Sequence, residues 1–308
     1  MNILITGALG HIGSSLLENL KKIKNLKKVY IIDSVRSNNL NVLFNLNHKK
    51  IKIKFIQGDL LDQKILNKIK DKIDSVVHLA SITNAEESFK IKNIVHTNNY
   101  GIFKNIVKFC IKRKAKLIHL SSTSVYGAQS EWVDEDCNFL KPQSPYADIK
   151  LLEEKLLKKD QKKINFITLR LGTITGISKG MRFHTAVNKF CFKTVLKENI
   201  PVWENAMNQY RPYLSLNDAI KTIVFIINQN KFDNQIYNVL TNNYTVKQIL
   251  LMIKSFNYKI KVKKTKTQIL NLNSYKVSNE KIKKFNLSFS KSIKKDIKET
   301  LNILNSLY

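Results

Sequence analysis

Cysteine is nearly missing from this 308-residue chain: only Cys110, Cys137 and Cys191 occur. They are odd in number and lie 27 and 54 residues apart, so neither a disulfide framework nor a tetrahedral metal site can be drawn from them. A reducing compartment fits, and the expected location is the cytoplasm. Long apolar runs are also lacking. The longest, Ile223 to Ile227, is far below the roughly 20 residues that span a bilayer. Met1 leads straight into Asn2-Ile3-Leu4-Ile5-Thr6-Gly7, with no basic stretch, apolar stretch and small-residue cleavage site ahead of it. The expectation is a soluble protein with no membrane partner and no secretion.

Arginine is scarce as well, occurring only at Arg36, Arg113, Arg170, Arg182 and Arg211, so 48 of the 53 basic residues are Lys. Against 23 acidic residues this gives a formal charge of +30. A basic excess invites a nucleic-acid reading, because Lys and Arg neutralise phosphates and release counterions. The chain also holds 34 Asn and many Ile, and Lys, Asn and Ile rise together when coding DNA is AT-rich. The lysines are spread over the whole length and no regular aromatic spacing interleaves them as a stacking platform requires. The charge is therefore read as a solvated surface, with a field that draws in small anions as the second reading and no nucleic-acid partner.

Glycine is rare too. The nine are Gly7, Gly10, Gly13, Gly58, Gly101, Gly127, Gly172, Gly176 and Gly180, with none afterwards. Three at a spacing of three near the start are hard to dismiss as filler. What is plentiful is apolar residue, 43% of the chain, enough for a large core in about two domains, or in one α/β unit with an appendage.

Asn2 to Thr6 is a short aliphatic run ending at a glycine turn, and Ile12 to Ile23 follows with helical spacing. The alternation recurs: Val29 to Ile32, Ile51 to Ile56, Ser75 to Leu79, Lys116 to Leu120 and Asn165 to Leu169 read as strands. Asp62 to Ile69, Ile91 to Lys112 and Tyr146 to Lys159 read as helices, the middle one with a stripe of Ile94, Asn98, Ile102, Ile106 and Cys110. This pattern predicts an α/β fold with a doubly wound parallel sheet. After Gly176 come a helix around Phe183 to Lys197, a strand near Pro201 to Trp203, and helices near Asn217 to Ile227 and Thr245 to Ser255. Residues 1–171 are therefore read as a nucleotide-binding Rossmann domain. Residues 172–308 are read as mainly a smaller α/β lid, interleaved with returning sheet elements such as Gln235 to Val239. Ile293, Ile297, Leu301 and Leu304 give the Lys-rich tail a packed helix at its end.

Thr6-Gly7-Ala8-Leu9-Gly10-His11-Ile12-Gly13 joins the first strand to the first helix, where backbone N–H groups and the helix dipole favour an anion. Gly7 permits the turn, Gly10 lets backbone approach a pyrophosphate, and Gly13 lets helix pack on strand. The spacing is GxxGxxG. Leu9, His11 and Ile12 are counted with the glycines as cofactor-binding, and the His11 side chain reads as a surface residue of the turn. Asp33 ends the second strand 20 residues after Gly13, where a carboxylate can take both hydroxyls of an adenosine ribose. That favours NAD over NADP, although Arg36 nearby could accept a 2′-phosphate. Gly58-Asp59-Leu60 and His78-Leu79-Ala80 fall at the same sheet edge. Asp59 suits either the cofactor or the N-cap of the next helix.

Ser121-Ser122-Thr123-Ser124-Val125-Tyr126-Gly127 follows the fifth strand, and Tyr146-Ala147-Asp148-Ile149-Lys150 begins a helix. Tyr and Lys four apart share a helical face. A phenol is a poor base at neutral pH, but a nearby ammonium and an oxidised nicotinamide both favour the phenolate. Tyr146 then becomes a general base, with Ser122 on the same substrate oxygen. A Tyr and a Lys at this spacing occur on many helices; joined to the Ser run and the glycine turn, the pattern becomes specific.

With these residues assembled, the chain resembles the extended short-chain dehydrogenase/reductases, specifically the NAD-dependent epimerase/dehydratase family acting on nucleotide sugars. The resemblance runs from Thr6–Gly13 through Asp33, Asn98 with Gly101, Ser121 to Gly127, Tyr146 with Lys150, and Arg170 before Gly176. It continues to Gln209-Tyr210-Arg211 before Asn217-Asp218. It implies a catalytic set of Ser122, Tyr146 and Lys150, with Lys150 also on the nicotinamide ribose and Asn98 behind them. Asp59, Leu60, Leu79 and Ala80 join the NAD contacts. Arg211 would bind the substrate diphosphate, and Arg182 and Asn188 fall where nucleotide contacts are expected, although Arg182 also suits a surface ion pair. A guanidinium fork matches phosphate oxygens, so the arginines at 170, 182 and 211 stand out in a lysine-using chain. Trp203 resembles an aromatic near the base, and equally a core Trp. Thr123 and Thr173 complete the substrate set, and no metal is implied.

Some positions depart from the family pattern. A 4,6-dehydratase needs an acidic pair after the catalytic hydroxyl residue, and here Thr123 and Ser124 stand there. Thr173 replaces a frequent Asn, and Glu204 to Asn208 replaces a glycine-containing turn before Arg211. The resemblance therefore implies a nucleotide-sugar 4-epimerase with a transient 4-keto intermediate, as a homodimer through helices at about 91–112 and 146–159. A dehydrogenase or reductase of the same family is the nearest alternative. A non-catalytic nucleotide- or RNA-binding member is the more distant one.

Overall fold

Short runs of Ile, Val and Leu bounded by turns form five parallel strands in the first 122 residues: β1 (Asn2–Thr6), β2 (Lys28–Asp33), β3 (Lys52–Gln57), β4 (Ser75–His78) and β5 (Lys116–Ser122). The computed structural model describes residues 1–308 apart from 45, 47, 49, 128, 130, 131, 266–273 and 308; part of the Lys-rich tail thus lies outside the described residues. Strands Phe166–Leu171 and Ile236–Val239 complete a seven-stranded sheet, in which they precede β5, β4, β1, β2 and β3 in that order. Every pairing in it is parallel. The order reverses beside β1, which opens a crevice at the strand carboxyl ends. The doubly wound Rossmann-type α/β fold expected from the strand–helix alternation is the one found, and Gln235–Val239 does return to the sheet.

One apolar core lies under helix α1 (His11–Glu18) and the Leu216–Asn228 helix. A second, with Phe103, Ile106 and Cys110, covers the opposite face. A third core joins the helices Ala186–Val195, Val246–Lys254 and Lys294–Asn305. Ile293, Ile297 and Leu301 are fully buried in it, so the tail ends in a packed helix. That helix is pinned by Asp296, whose carboxylate accepts from Thr175 Oγ1 at 2.6 Å and Ser215 Oγ at 3.0 Å. Smaller sheets pair Tyr210–Ser215 with Thr173–Thr175 and Asn242–Thr245, and Asn199–Trp203 with Lys261–Thr265.

The expected helix at 91–112 is broken by a π turn at His96–Tyr100. A π turn adds a residue to the repeat and rotates everything before it relative to everything after. Ile94 therefore leaves the stripe and is 57% exposed, while Asn98, Ile102, Ile106 and Cys110 stay buried. Among the described residues no helix is long and apolar enough to cross a membrane, and no cluster of three metal-ligating side chains occurs.

Candidate active site

The glycine turn closes against β4. Gly7 has φ +65°, and a Cβ on it would stand 2.5 Å from the backbone N of Ala80, so both conformation and space demand glycine. A Cβ on Gly13 would meet Ala8 at 2.5 Å, which is the close helix–strand packing its position implied. Asp33 holds the turn: one carboxylate oxygen accepts from Leu9 N at 3.0 Å and the other from Val35 N at 2.8 Å.

His11 is not a surface residue. It is 7% exposed, because the chain after Gly176 folds over the start of α1, and its Nε2 lies 2.9 Å from the Gly176 carbonyl oxygen. Burial lowers its pKa to about 4, so the ring is neutral and Nε2–H donates to that carbonyl. Arg36 is occupied, donating to Asp59 Oδ2 at 2.7 Å and to Asn98 Oδ1 at 2.8 Å. Asp59 does not cap the next helix; Asp62 does, accepting from Lys64 N. Leu60 is buried in the second core, with Ala80 packed against it.

Ser122 ends β5 and caps the 3-10 turn that follows, its Oγ accepting from Ser124 N at 3.2 Å and Ser124 Oγ at 2.9 Å. Ser144 and Pro145 start the Pro145–Asp160 helix, Ser144 Oγ accepting from Ala147 N. That cap fixes Tyr146 in the first turn and Lys150 one turn on, with Lys150 Nζ 5.8 Å from the Tyr146 ring centre. Burial pushes the Tyr146 phenol above its ordinary value and Glu153 adds to this, while Lys150, Arg182 and a hydrogen bond from Ser122 pull it down. Burial is the largest of these effects, so Lys150 alone does not make Tyr146 a phenolate.

Lys150 is gripped from behind. Its Nζ donates to Glu153 Oε2 at 2.8 Å, and His119 Nε2 lies 3.0 Å from the same oxygen. Burial disfavours the Lys150 charge, but Glu153, Tyr146 and Glu154 together hold the ammonium above its ordinary pKa. The Glu153 carboxyl is penalised by burial, yet Lys150 and His119 hold it below the usual range. Burial lowers His119, making it a neutral donor to Glu153. Neither Glu153 nor His119 stands out in the sequence, since one is three residues past a catalytic Lys and the other is inside a strand.

Arg170 does not face the crevice. It is 2% exposed, its Nε and Nη2 donate to the two oxygens of Glu154 at 3.0 and 2.7 Å, and Nη1 donates to Tyr126 OH at 2.9 Å. It joins the strand Phe166–Leu171 to the Pro145–Asp160 helix. Asn98, placed behind the catalytic set by the resemblance, has Arg36 and Asn99 as its side-chain partners instead; the π turn aims it at the Asp59 side of the crevice.

On the lid side, Arg211 stacks 5.0 Å over the Tyr275 ring, and Tyr275 OH donates to the Thr123 carbonyl at 3.4 Å. Arg211 is thereby tied to the catalytic loop, through a tyrosine no motif flags. Thr123 Oγ1 donates to the Leu171 carbonyl at 3.2 Å. Thr173 pairs with Tyr213 across strands, and Trp203 is half-buried at a strand end. Asn188 is fully buried and donates to the Arg182 carbonyl at 3.1 Å, its Oδ1 without a partner among the described residues. Arg182 reaches Thr83 Oγ1 across the crevice, and among the described residues it forms no ion pair.

A model of the "NAD dependent epimerase/dehydratase family" matches residues 3–239. The chain belongs to the NAD-dependent epimerase/dehydratase family, and is an enzyme of the extended short-chain dehydrogenase/reductase class. Among curated members, it is 29% identical over 262 residues to a dTDP-D-glucose 4,6-dehydratase of Dictyostelium discoideum, covering 78% of this chain and 58% of that one. It is 27% identical to a putative UDP-glucose 4-epimerase of Methanocaldococcus jannaschii, over 79% and 78% of the two chains. The UDP-glucuronic acid 4-epimerase of Bacillus cereus, solved with UDP-glucuronic acid and NAD, superposes with a TM-score of 0.86 at 26% identity, covering 100% of both. Family members of known structure thus carry NAD and a nucleotide sugar.

Proposed function

We propose that this family member is a nucleotide-sugar C4-epimerase that keeps NAD bound and works through a transient 4-keto sugar. The observation that carries the reading is the convergence of Ser122, Tyr146 and Lys150 in one crevice whose 123 and 124 positions hold no carboxylate. Thr123 spends its hydroxyl on the Leu171 carbonyl and Ser124 on Ser122. Neither can protonate a leaving oxygen or remove a C5 proton, which argues against the dehydratase activity of the Dictyostelium relative.

The residues fit a dinucleotide: α1 points its N–H groups at the glycine turn, and an Arg182 guanidinium nitrogen stands 3.4 Å from where a Gly10 Cβ would be. NAD bound in this crevice supplies a reversible hydride acceptor. Arg36 is tied to Asp59 and Asn98 instead of being turned to a 2′-phosphate, which favours NAD over NADP. With Lys150 and the positive charge of oxidised NAD together favouring its phenolate, Tyr146 would take the proton of the C4 hydroxyl and later return it. Lys150, held by Glu153, supplies positive charge beside the phenol, and Ser122 steadies the oxygen. Arg211 holds the substrate diphosphate, next to Thr173 and Trp203.

A homodimer through the helices at about 91–112 and 146–159 would cover the exposed Ile94 and the part-exposed Leu151, Leu152 and Leu156. Three free thiols suit a reducing cytoplasm. The test is to incubate the pure protein with NAD and a panel of nucleotide sugars, recording nicotinamide absorbance and product stereochemistry together. Inversion at C4 without accumulating NADH, reduced about 10²- to 10⁴-fold in Tyr146→Phe, is the expected result. Stoichiometric NADH with a ketone or acid product would make the protein a dehydrogenase instead.

A further inference from the structure

The segment Gly176–Arg182 lies directly on the glycine turn and is fastened there at three points. His11 Nε2 donates to the Gly176 carbonyl at 2.9 Å. Gly180 N donates to Ser14 Oγ at 3.0 Å. Gly180 itself touches the turn: a Cβ on it would stand 2.4 Å from the Leu9 carbonyl oxygen and 2.5 Å from that of Gly10. No other residue type fits between the two backbones.

This strap delivers Arg182. One guanidinium nitrogen stands 3.4 Å from where a Gly10 Cβ would be, and another donates to Thr83 on the far side of the crevice. Asn188 fixes its backbone from below. Burial disfavours the charge, and the Tyr146 hydroxyl and the Asp33 carboxylate favour it, yet Asp33 spends its two oxygens on Leu9 N and Val35 N and among the described residues no carboxylate forms an ion pair with Arg182. A guanidinium stays protonated in such surroundings, and a half-buried cation with no ion-pair partner among the described residues calls for an anion. The anion that suits this place is the one α1 and the turn already invite.

We propose that Arg182 is a clamp on the cofactor, pairing with the pyrophosphate of the dinucleotide, and that the Gly176–Arg182 strap roofs that pyrophosphate so that NAD is retained between turnovers. This moves Arg182 from the substrate nucleotide, where the resemblance puts it, to the cofactor. It rests on the reading of the crevice as a dinucleotide site, and it explains how an epimerase can hold NAD through both hydride transfers.

The test compares the wild-type chain with Arg182→Met, which keeps the stem and removes the charge. NADH affinity and release are followed by nicotinamide fluorescence, and UDP, dTDP and adenosine binding by calorimetry. The expected result is NADH affinity about 10- to 100-fold weaker and release correspondingly faster, with UDP, dTDP and adenosine binding within twofold of wild type. Unchanged NADH affinity and release overturn the clamp, and do so most clearly if UDP or dTDP binding falls instead. A wild-type chain that binds no NADH would sink the dinucleotide reading itself. If Arg182→Met does not fold, Ser14→Ala unties Gly180 from α1 and reads the same release rate: severalfold acceleration supports the strap, and no change refutes it.

Discussion

The Lys150 ammonium donates to the Glu153 carboxylate at 2.8 Å, three residues along the same helix, and both side chains are buried. In the proposed mechanism Glu153 acts at second hand: it fixes where Lys150 points, and its negative charge raises the phenol that Lys150 lowers. Glu153→Gln keeps the shape and removes that charge. The acid limb of the kcat/KM profile should move to lower pH, while kcat falls about tenfold because the Lys150 tether is weaker. A pH–rate profile checks this; an unmoved acid limb would mean that Glu153 is merely structural.

The Arg170–Glu154 pair should matter for stability. Both groups are almost fully buried and joined by two hydrogen bonds, so removing one partner strands a charge. Arg170→Met or Glu154→Leu should each cost about 3–5 kcal/mol in denaturant unfolding, and the double replacement should recover much of that. Additive losses would show that the two residues do not act as a pair.

Stability should fall on acidification below about pH 6.5. Burial depresses His11 to about 4 and His78 to about 3, so between those values and 6.5 the unfolded chain binds protons that the folded chain refuses. Stability therefore rises with pH across that window, and about 2 kcal/mol per histidine is lost on going from pH 6.5 to 5. Asp296 has the opposite sign: burial raises it to about 6, so its contribution grows as pH falls through that value. Burial lowers His119 and His184 as well, so the histidines outweigh the one carboxyl, and a melting temperature that drops steadily from pH 7 to 5 is the expected result.

Cofactor choice should respond to Asp59. Asp59→Asn weakens the ion pair that occupies Arg36 and frees a guanidinium at the ribose edge. The NADP-to-NAD affinity ratio should then rise by about tenfold, the value of one charge-assisted hydrogen bond. Titrating both nucleotides by fluorescence measures it.

The strands and the Tyr146–Lys150 pair are legible in the sequence because their periods, two and 3.6, are local properties of the backbone. The glycine turn is legible because glycine is so scarce elsewhere. Ile94 is misread because a π turn leaves no mark in the hydrophobic pattern that precedes it. His11 is misread because what buries it arrives 165 residues later. Glu153 and His119 meet only when a helix settles on a strand, and Tyr275 reaches Arg211 and Thr123 only when the lid closes on the sheet. Arg170 and Arg182 look alike as isolated arginines. Their surroundings differ because one finds a carboxylate on the helix that packs on its strand and the other reaches the crevice without an ion-pair partner among the described residues.

Asp296 fastens the last helix to Thr175, next to the residue from which the strap departs. During translation the glycine turn leaves the ribosome early, whereas the anchor of the segment above it is among the last parts of this sequence to be made. The support beneath the strap therefore joins residues 121 positions apart, and it exists only once the last helix has been made and has docked.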